Sequence, residues 1–402
     1  MQQLAYLVSE YPGISHTFIL REIFAMRACG LTVATASIRR PQHLDRMPEP
    51  ERREAENTLY IKATPIKAIF TIHWRLLSSR PMAYLSMIGA AVRAYRRGAR
   101  DALKAVGYLA EAGILIDWMH ARELKHVHVH FANPAATVAM LATAYGTISY
   151  SLSVHGPDEF YNVDKNLLTD KVSSARFVRC ISHYCRSQVM RLVSPELWEN
   201  FHIVRCGIDP EVFQPRAEPQ NTLTELLCLG RLVPAKGQHI LLQACAELQR
   251  RGVPFHLTLV GDGEDRQSLE ALADSFALGD TVTFTGAVGG HQVHAYYDRA
   301  DIFVLASFAE GVPVVLMEAM AKSVACISTG ITGIPELIDD EEDGMLVPPS
   351  DETALSDRLQ RLIENPEQRI RFGRAGRDKV LERYDLARNC RDLAKIFNAL
   401  EP

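Results

Sequence analysis

At 402 residues the chain is long enough for two domains with full hydrophobic cores. Its 47% hydrophobic and 23% charged content excludes wholesale disorder, and a formal net charge of −4 argues against a nucleic-acid binder acting through a global basic field. Eight scattered cysteines without a CxxC pair read as reduced core thiols of a cytosolic protein, and the opening MQQLAYLVSEYPG has neither the basic nor the long apolar region of a secretory signal.

In chain order, LAYLVSE reads as a strand, SHTFILREIFAMRACG as a helix and LTVATASI as a second strand. A long, basic helical stretch follows from about 60 to 124. Within 62–104, nine cations (Lys62, Lys67, Arg75, Arg80, Arg93, Arg96, Arg97, Arg100 and Lys104) face the single acid Asp101. Tyr84, Leu85, Met87, Ile88, Ala91, Val92 and Tyr95 recur there at helical spacing, with the arginines from 93 to 100 and Lys104 as a stripe beside them. A basic amphipathic helix of this kind suits an anionic membrane surface. The ordinary alternative is a helix packed on its own domain with a solvated charged face.

HVHVHF is a strand that puts His126, His128 and His130 on one face. Three histidines can hold zinc, but no acidic partner or further ligand motif lies nearby in sequence, so no metal is expected. From Val127 to Pro157 there is no Asp, Glu, Lys or Arg. Pro134, Gly146 and the polar run Thr147, Ser149, Ser151, Ser153 interrupt that stretch, so it reads as a buried strand, helix and strand rather than a membrane span. A helix through Ser173, a strand FVRCIS and strand character in FHIVRCGIDPEVFQP complete the first half. The polar, Pro-rich PRAEPQNT marks a linker, with the domain boundary near 208–222.

The second half alternates strictly: strand LTELLCLGRL, helix GQHILLQACAELQRRG, strand PFHLTLVGDGE, helix EDRQSLEALADSFAL, strands TVTFTG and DIFVLAS around helix HQVHAYYDRA, then VACIST, the turn GIPELI and the strand GMLVPP. Such alternation means parallel βαβ units. The predicted fold class is therefore α/β, with two Rossmann-like parallel domains facing each other across a cleft at their carboxyl strand ends. The expected divisions are 1–208, 209–384 and a C-terminal helix, 385–402, that can pack back on the first domain.

Four stretches fall at predicted strand ends. GRLVPAKG carries Arg231 and Lys236 five positions apart in a Gly/Pro turn. This suits a diphosphate, against the plain alternative of two solvated loop cations. LVGDGE has a GxG after a strand, which is weak evidence, and it lacks the full dinucleotide fingerprint. SVHGPDEF ends a strand on His155; a lone histidine is more often structural. In ASFAEGVPVVLMEAM, Glu310 and Glu318 lie eight positions apart. Pro313 favours a loop followed by a helix with Glu318 one turn inside, and the amides opening that helix are suited to an anion.

These stretches, in order, resemble retaining glycosyltransferase family 4, of the GT-B fold. GRLVPAKG, AEGVPVVLMEAM, TGITGIPELI and DGMLVPP resemble its donor-binding domain, and CGIDPEVFQP its hinge. YPGISHTFILREI, HVHVHFA, SVHGPDEF and CISHYCRSQVMRL are similar to the branch that builds bacterial exopolysaccharides, typified by colanic acid transferases. The resemblance implies that Arg231 and Lys236 bind the donor diphosphate in place of a metal. It gives Glu318 the ribose hydroxyls and Glu310 the sugar hydroxyls, with the backbone of Gly311, Val312, Pro313, Val314 and Val315 against sugar and phosphate. His155 would hydrogen-bond the donor sugar near the reaction centre.

The implied activity is hexose transfer, with retention, from a UDP- or GDP-sugar to a polyprenyl-diphosphate-linked glycan. No cofactor is implied, and the enzyme would sit peripherally on the inner face of the bacterial inner membrane. The rivals are a GT-B enzyme making a soluble glycoside, of sucrose- or trehalose-synthase type, and a catalytically silent sugar-nucleotide-binding subunit. The chain departs from the family at His16, where many relatives have a small acidic element. It departs again at Ser323 and Ala325-Cys326, where Gly and Pro-Val are usual.

Overall fold

Parallel strands buried on both faces must be apolar throughout or must pair their polar side chains with one another, and this chain does both. The computed structural model describes residues 3–13, 17–42, 44, 47–95, 99–217 and 222–400. His16, Arg96, Arg97 and the linker centre 218–221 lie outside the described residues. The chain divides into two compact units, Met1–Val204 with Asn389–Pro402, and Arg205–Arg388.

The first unit runs β1 (Gln3–Glu10), α1 (Thr17–Ala28), β2 (Thr32–Arg39), α2 (Glu49–Glu56), β3 (Leu59–Tyr60), α3 (Ile66–Ser79), α4 (Pro81–Ala94), α5 (Ala99–His120), β4 (His126–His130), α6 (Pro134–Thr143), β5 (Ser149–Val154), α7 (Leu168–Ser174), β6 (Val178–Cys180), α8 (His183–Met190) and β7 (Phe201–Ile203). The second runs β8 (Thr224–Leu229), α9 (Gln238–Arg250), β9 (Phe255–Val260), α10 (Arg266–Ser275), β10 (Val282–Gly286), α11 (Gly290–Arg299), β11 (Ile302–Leu305), α12 (Val314–Ala321), β12 (Ala325–Thr329), α13 (Ile334–Leu337), β13 (Met345–Val347), α14 (Glu352–Glu364) and α15 (Pro366–Arg383). A last helix, α16 (Leu386–Asn398), belongs to the first unit from Asn389 onward.

Sheet order is β3-β2-β1-β4-β5-β6-β7 in the first unit and β10-β9-β8-β11-β12-β13 in the second. Neighbouring strands are parallel throughout, from β1 with β2 and β4 to β12 with β13. In each sheet the strand order reverses direction once, between β1 and β4 and between β8 and β11. At such a switch point the flanking connections leave on opposite faces and open a crevice at the carboxyl ends. Helix starts are closed by side-chain oxygens of Asn133, Ser182, Asp351 and Asn365, each accepting from a backbone N–H in the first turn.

Two elements differ from the sequence reading. The stretch 60–124 is not one long helical run: Pro81 opens a new helix, and α4 stops at Ala94 before α5 starts at Ala99. The single amphipathic helix expected across 84–104 is therefore two helices, with Arg93 in α4 and Lys104 in α5. GIPELI, read as a turn, forms the four-residue α13, with Pro335 in its first turn, where its missing N–H costs nothing. Among the described residues, no helix is long and apolar enough to cross a membrane.

The loops that end β8 and β9 pack backbone against backbone. Gly261 has φ +142°, and a Cβ there would lie 1.9 Å from the carbonyl oxygen of Gly230. Gly252, φ +73° at the end of α9, has open space around it. Gly261→Ala should cost about 3 kcal/mol of stability, since both strain and a backbone clash must be relieved. Gly252→Ala should cost only about 1 kcal/mol, the backbone term alone. Urea unfolding of both variants checks this, and equal losses would remove the packing argument.

Candidate functional site

In the second unit the sequence-predicted residues gather at the β8/β11 switch point. Beyond β8 the chain turns through Gly230–Gly237, and Gly237, φ +61°, starts α9 with the Ala306 carbonyl so close that no Cβ fits. Beyond β11 the loop is pinned to that turn: the Phe308 amide donates to the Ala235 carbonyl at 2.8 Å. Lys236 Nζ then reaches Glu310 Oε1 at 2.6 Å, and Ser307 Oγ donates to the same oxygen at 2.7 Å. Thr332, beyond β12, donates to the Glu310 carbonyl. A carboxylate that is 9% exposed thus has a cation and a hydroxyl on one oxygen.

Helix α12 begins directly after Pro313, with no side chain capping it. Glu318 is one turn inside and buried, and the Tyr297 hydroxyl lies 3.1 Å from Glu318 Oε2 and 3.2 Å from the Val315 carbonyl. Val312 and Pro313 are buried, whereas Gly311, Val314 and Val315 keep partial exposure at the helix start. Arg231 is exposed on the same turn as Lys236, and its carbonyl accepts from Gln238 Nε2 at 3.0 Å. Ser307 and Thr332 lie inside the stretches ASFAEGVPVVLMEAM and TGITGIPELI, but neither they nor Tyr297 were singled out from the sequence.

In the first unit His155 follows β5, at the carboxyl end of the sheet. Its backbone N–H and that of Gly156 donate to Glu159 Oε2 at 2.6 and 3.1 Å, while the Ala132 amide donates to Glu159 Oε1. Burial pushes the Glu159 carboxyl up to about 7 against the pull of those three amides. Lys171, whose ammonium burial pushes down to about 7, donates to the Ala132 and Asn133 carbonyls at 2.8 and 3.0 Å. Together they fasten the loop after β4 to the loop after β5 and fix where His155 stands.

The histidine strand corrects one sequence-based expectation. His126, His128 and His130 pair in register with Ser149, Ser151 and Ser153 of β5. His126 faces Ser149 and Ser151 through its two ring nitrogens, at 2.8 Å each, and His128 faces Ser151 and Ser153 at 2.7 Å each. The third, His130, meets a carboxylate after all: Glu22 Oε1 is 3.2 Å from its Nε2, brought by α1 from more than a hundred positions away. Glu22, His128 and His130 form a trio with metal-ligand proximity. Their atoms are committed elsewhere, however: Arg179 pairs with Glu22 Oε2, the Tyr6 hydroxyl donates to Oε1, and serines face His128. The sequence signal for Glu22 was an acid inside the apolar stripe Ile19, Ile23, Met26 of α1.

With this geometry in view, comparison with known proteins is informative. Residues 211–379 match the family described as Glycosyl transferases group 1. The chain carries a group 1 glycosyl transferase domain. It is 34% identical over 210 residues to the putative colanic acid biosynthesis glycosyltransferase WcaL of Escherichia coli K12, covering 50% of this chain and 52% of that one. The chain thus spans about half the length of that relative. It is also 26% identical over 286 residues to a GDP-mannose-dependent phosphatidylinositol monomannoside mannosyltransferase of Mycolicibacterium smegmatis, covering 66% of this chain and 74% of the relative. Among solved structures, Anabaena HepE in complex with UDP-glucose superposes with a TM-score of 0.77 at 15% identity, covering 100% of both chains. That likeness carries the fold: two parallel α/β units of the GT-B class.

The buried histidines give the first unit an acid sensitivity. Burial pushes His126 down from 6.5 to about 3, and His128 well below its ordinary value. A histidine with a depressed folded pKa stays neutral while the unfolded chain takes up a proton, so its stabilising contribution is complete above about pH 6.5 and is lost as pH falls towards 3. For His126 the loss is about 1.4 kcal/mol per pH unit. Between pH 7 and 5.5 the wild type should lose about 1 to 2 kcal/mol more than His126→Gln in urea unfolding. Equal losses would mean that His126 is not held neutral.

Proposed function

We propose that the chain is a retaining hexosyltransferase that moves a sugar from a UDP- or GDP-linked donor to a polyprenyl-diphosphate-linked glycan in bacterial exopolysaccharide biosynthesis. It works without a required metal, on the inner face of the inner membrane. The observation that carries this reading is the Lys236–Glu310–Ser307 cluster at the β8/β11 switch point, inside the group 1 domain. Arg231 and Lys236 supply fixed positive charge for the diphosphate as it leaves. The uncapped start of α12 offers amides to phosphate and sugar, from Gly311 to Val315. Glu318 takes the ribose hydroxyls, and Glu310 takes hydroxyls of the sugar. An ionised carboxylate is acceptor-only, which suits both tasks. His155 is assigned a hydrogen bond to the donor sugar.

The lipid side of the reading draws on α3, α4 and α5. Of the thirteen large hydrophobic side chains exposed among the described residues, eight lie between Ile66 and Val106. Ile66, Phe70 and Trp74 repeat every four residues along α3 and are each more than 70% exposed. Lys62, Lys67, Arg75, Arg80 and Arg93 occupy exposed positions in the same stretch, with Lys62 near Glu111 and Arg75 paired with Asp117. Apolar side chains presented to solvent inside a basic field match an anionic lipid surface, and they disfavour a purely soluble acceptor.

Lys236→Ala and Glu310→Ala should each reduce sugar transfer at least about 100-fold while leaving the circular dichroism spectrum unchanged. Wild-type turnover in either variant would remove the donor-site assignment. A thermal-shift series with UDP, GDP and their hexose conjugates identifies the donor, because only the bound nucleotide raises the melting temperature. For the membrane, flotation with phosphatidylcholine vesicles should require added phosphatidylglycerol and fall about tenfold in Phe70→Ser/Trp74→Ser. Indifference to lipid charge and to that double variant would remove the membrane assignment.

A further inference from the structure

Helices α11 and α12 of the second unit are tied at two points. Lys322 Nζ donates to Asp298 Oδ1 at 2.7 Å. The neighbouring Tyr297 hydroxyl stands 3.2 Å from the Val315 carbonyl and 3.1 Å from Glu318 Oε2. Tyr297 is fully buried, and its ring rests against Phe303 of β11 at 5.8 Å and against Phe213 at 6.5 Å between centroids. Ring packing therefore sets where the phenol oxygen stands, and Glu318 meets it from one turn inside α12.

A buried tyrosine needs one partner for its O–H, and the Val315 carbonyl alone would serve. The contact with Glu318 does more. The phenol carries one hydrogen, and a charged carboxylate outcompetes a backbone carbonyl for it. Glutamate has several rotatable bonds, so an untethered carboxylate must be ordered as its ligand binds, at a cost to affinity. A carboxylate has room for about four hydrogen bonds, so one from the phenol and two from a ribose are compatible. We propose that Tyr297 is a positioning residue for Glu318: its phenol holds the carboxylate in the orientation that accepts from the ribose hydroxyls, and so makes the site selective for ribonucleotides. This rests on the ribose role given to Glu318 above. It adds a residue from α11 that governs how sharply that role discriminates.

The test is calorimetric titration of the full chain with UDP and GDP and with their 2′,3′-dideoxy counterparts, which lack both ribose hydroxyls. The wild type should bind one ribonucleotide about 100-fold more tightly than its dideoxy form. Tyr297→Phe keeps the ring and removes only the hydroxyl. Its affinity for the ribonucleotide should fall about tenfold, with the dideoxy form bound as in the wild type. An unchanged preference, or equal weakening of both forms, overturns the positioning role, because a purely structural phenol acts on both alike.

Glu318→Ala separates this inference from the reading it rests on, and should bind both forms nearly alike. A full ribose preference in Glu318→Ala, or a wild type that binds neither nucleotide, overturns that reading and this inference together. Loss of preference there with full preference in Tyr297→Phe overturns the role of Tyr297 alone. If Tyr297→Phe does not fold, Glu318→Asp makes the test from the other side, because it keeps the charge and draws the carboxylate back from the phenol by one methylene. A preference cut about tenfold supports the positioning role, and a wild-type preference overturns it.

Discussion

A carboxylate taken out of water must be surrounded by donors, and four buried glutamates place that demand on the carboxyl ends of the two sheets. Glu159 collects three backbone amides and so joins the loops after β4 and β5. Glu22 collects Arg179 and Tyr6, reaching from α1 to β6 and β1. Glu310 collects Lys236 and Ser307, tying the turn after β8 to the loop after β11. Glu318 holds α12 against α11 through Tyr297. Removing any one of them strands its partners in a dry interior, so strand-end geometry and charge pairing are a single problem here.

How much of this is legible in sequence depends on the distance over which the signal acts. The start of α12 after Pro313 is local, because proline fixes the boundary by itself, and the parallel alternation follows from periodicity alone. Lys236 and Glu310 were both visible as strand-end residues, yet their direct contact was not, because it depends on which strands become neighbours. The Glu22–His130 contact is harder still: the two lie in separate stretches more than a hundred positions apart, and only the β1–β4 neighbourhood brings α1 over β4. Which apolar side chains of α4 face solvent is not legible for another reason. Helical spacing in 84–95 looks the same whether a residue is buried, as Met87 and Ala91 are, or exposed, as Leu85 and Val92 are.

The histidine–serine ladder shows how a polar sequence can build a buried sheet. HVHVH would be costly as an isolated buried strand. Opposite SYSLSV, a serine hydroxyl can both donate and accept, as Ser151 does between the two rings, so the neutral imidazoles of His126 and His128 are satisfied without charge. Phe397 from α16 covers both rings, at 5.9 and 5.3 Å. The pattern runs out at His130, whose Nδ1 meets His155 Nε2 beyond the end of β5 instead of a serine hydroxyl. At that point serines give way to a carboxylate, Glu22, whose Oε1 stands 3.2 Å from His130 Nε2.

Pairing within the donor cluster also bears on the chemistry. With Lys236 and Ser307 on one oxygen, Glu310 is a stabilised anion whose charge is already matched, which makes it a poor nucleophile. In the proposed reaction the diphosphate competes with Glu310 for Lys236. As the ammonium turns towards phosphate, Ser307 keeps the carboxylate in place, and its freed lone pairs become available to sugar hydroxyls. Binding of the nucleotide end and orientation of the sugar end are then coupled through one lysine. On that proposal a donor analogue lacking the diphosphate would leave Glu310 occupied by its own cation, and the glutamate would act as a positioning group whose availability depends on the charge it helps to place.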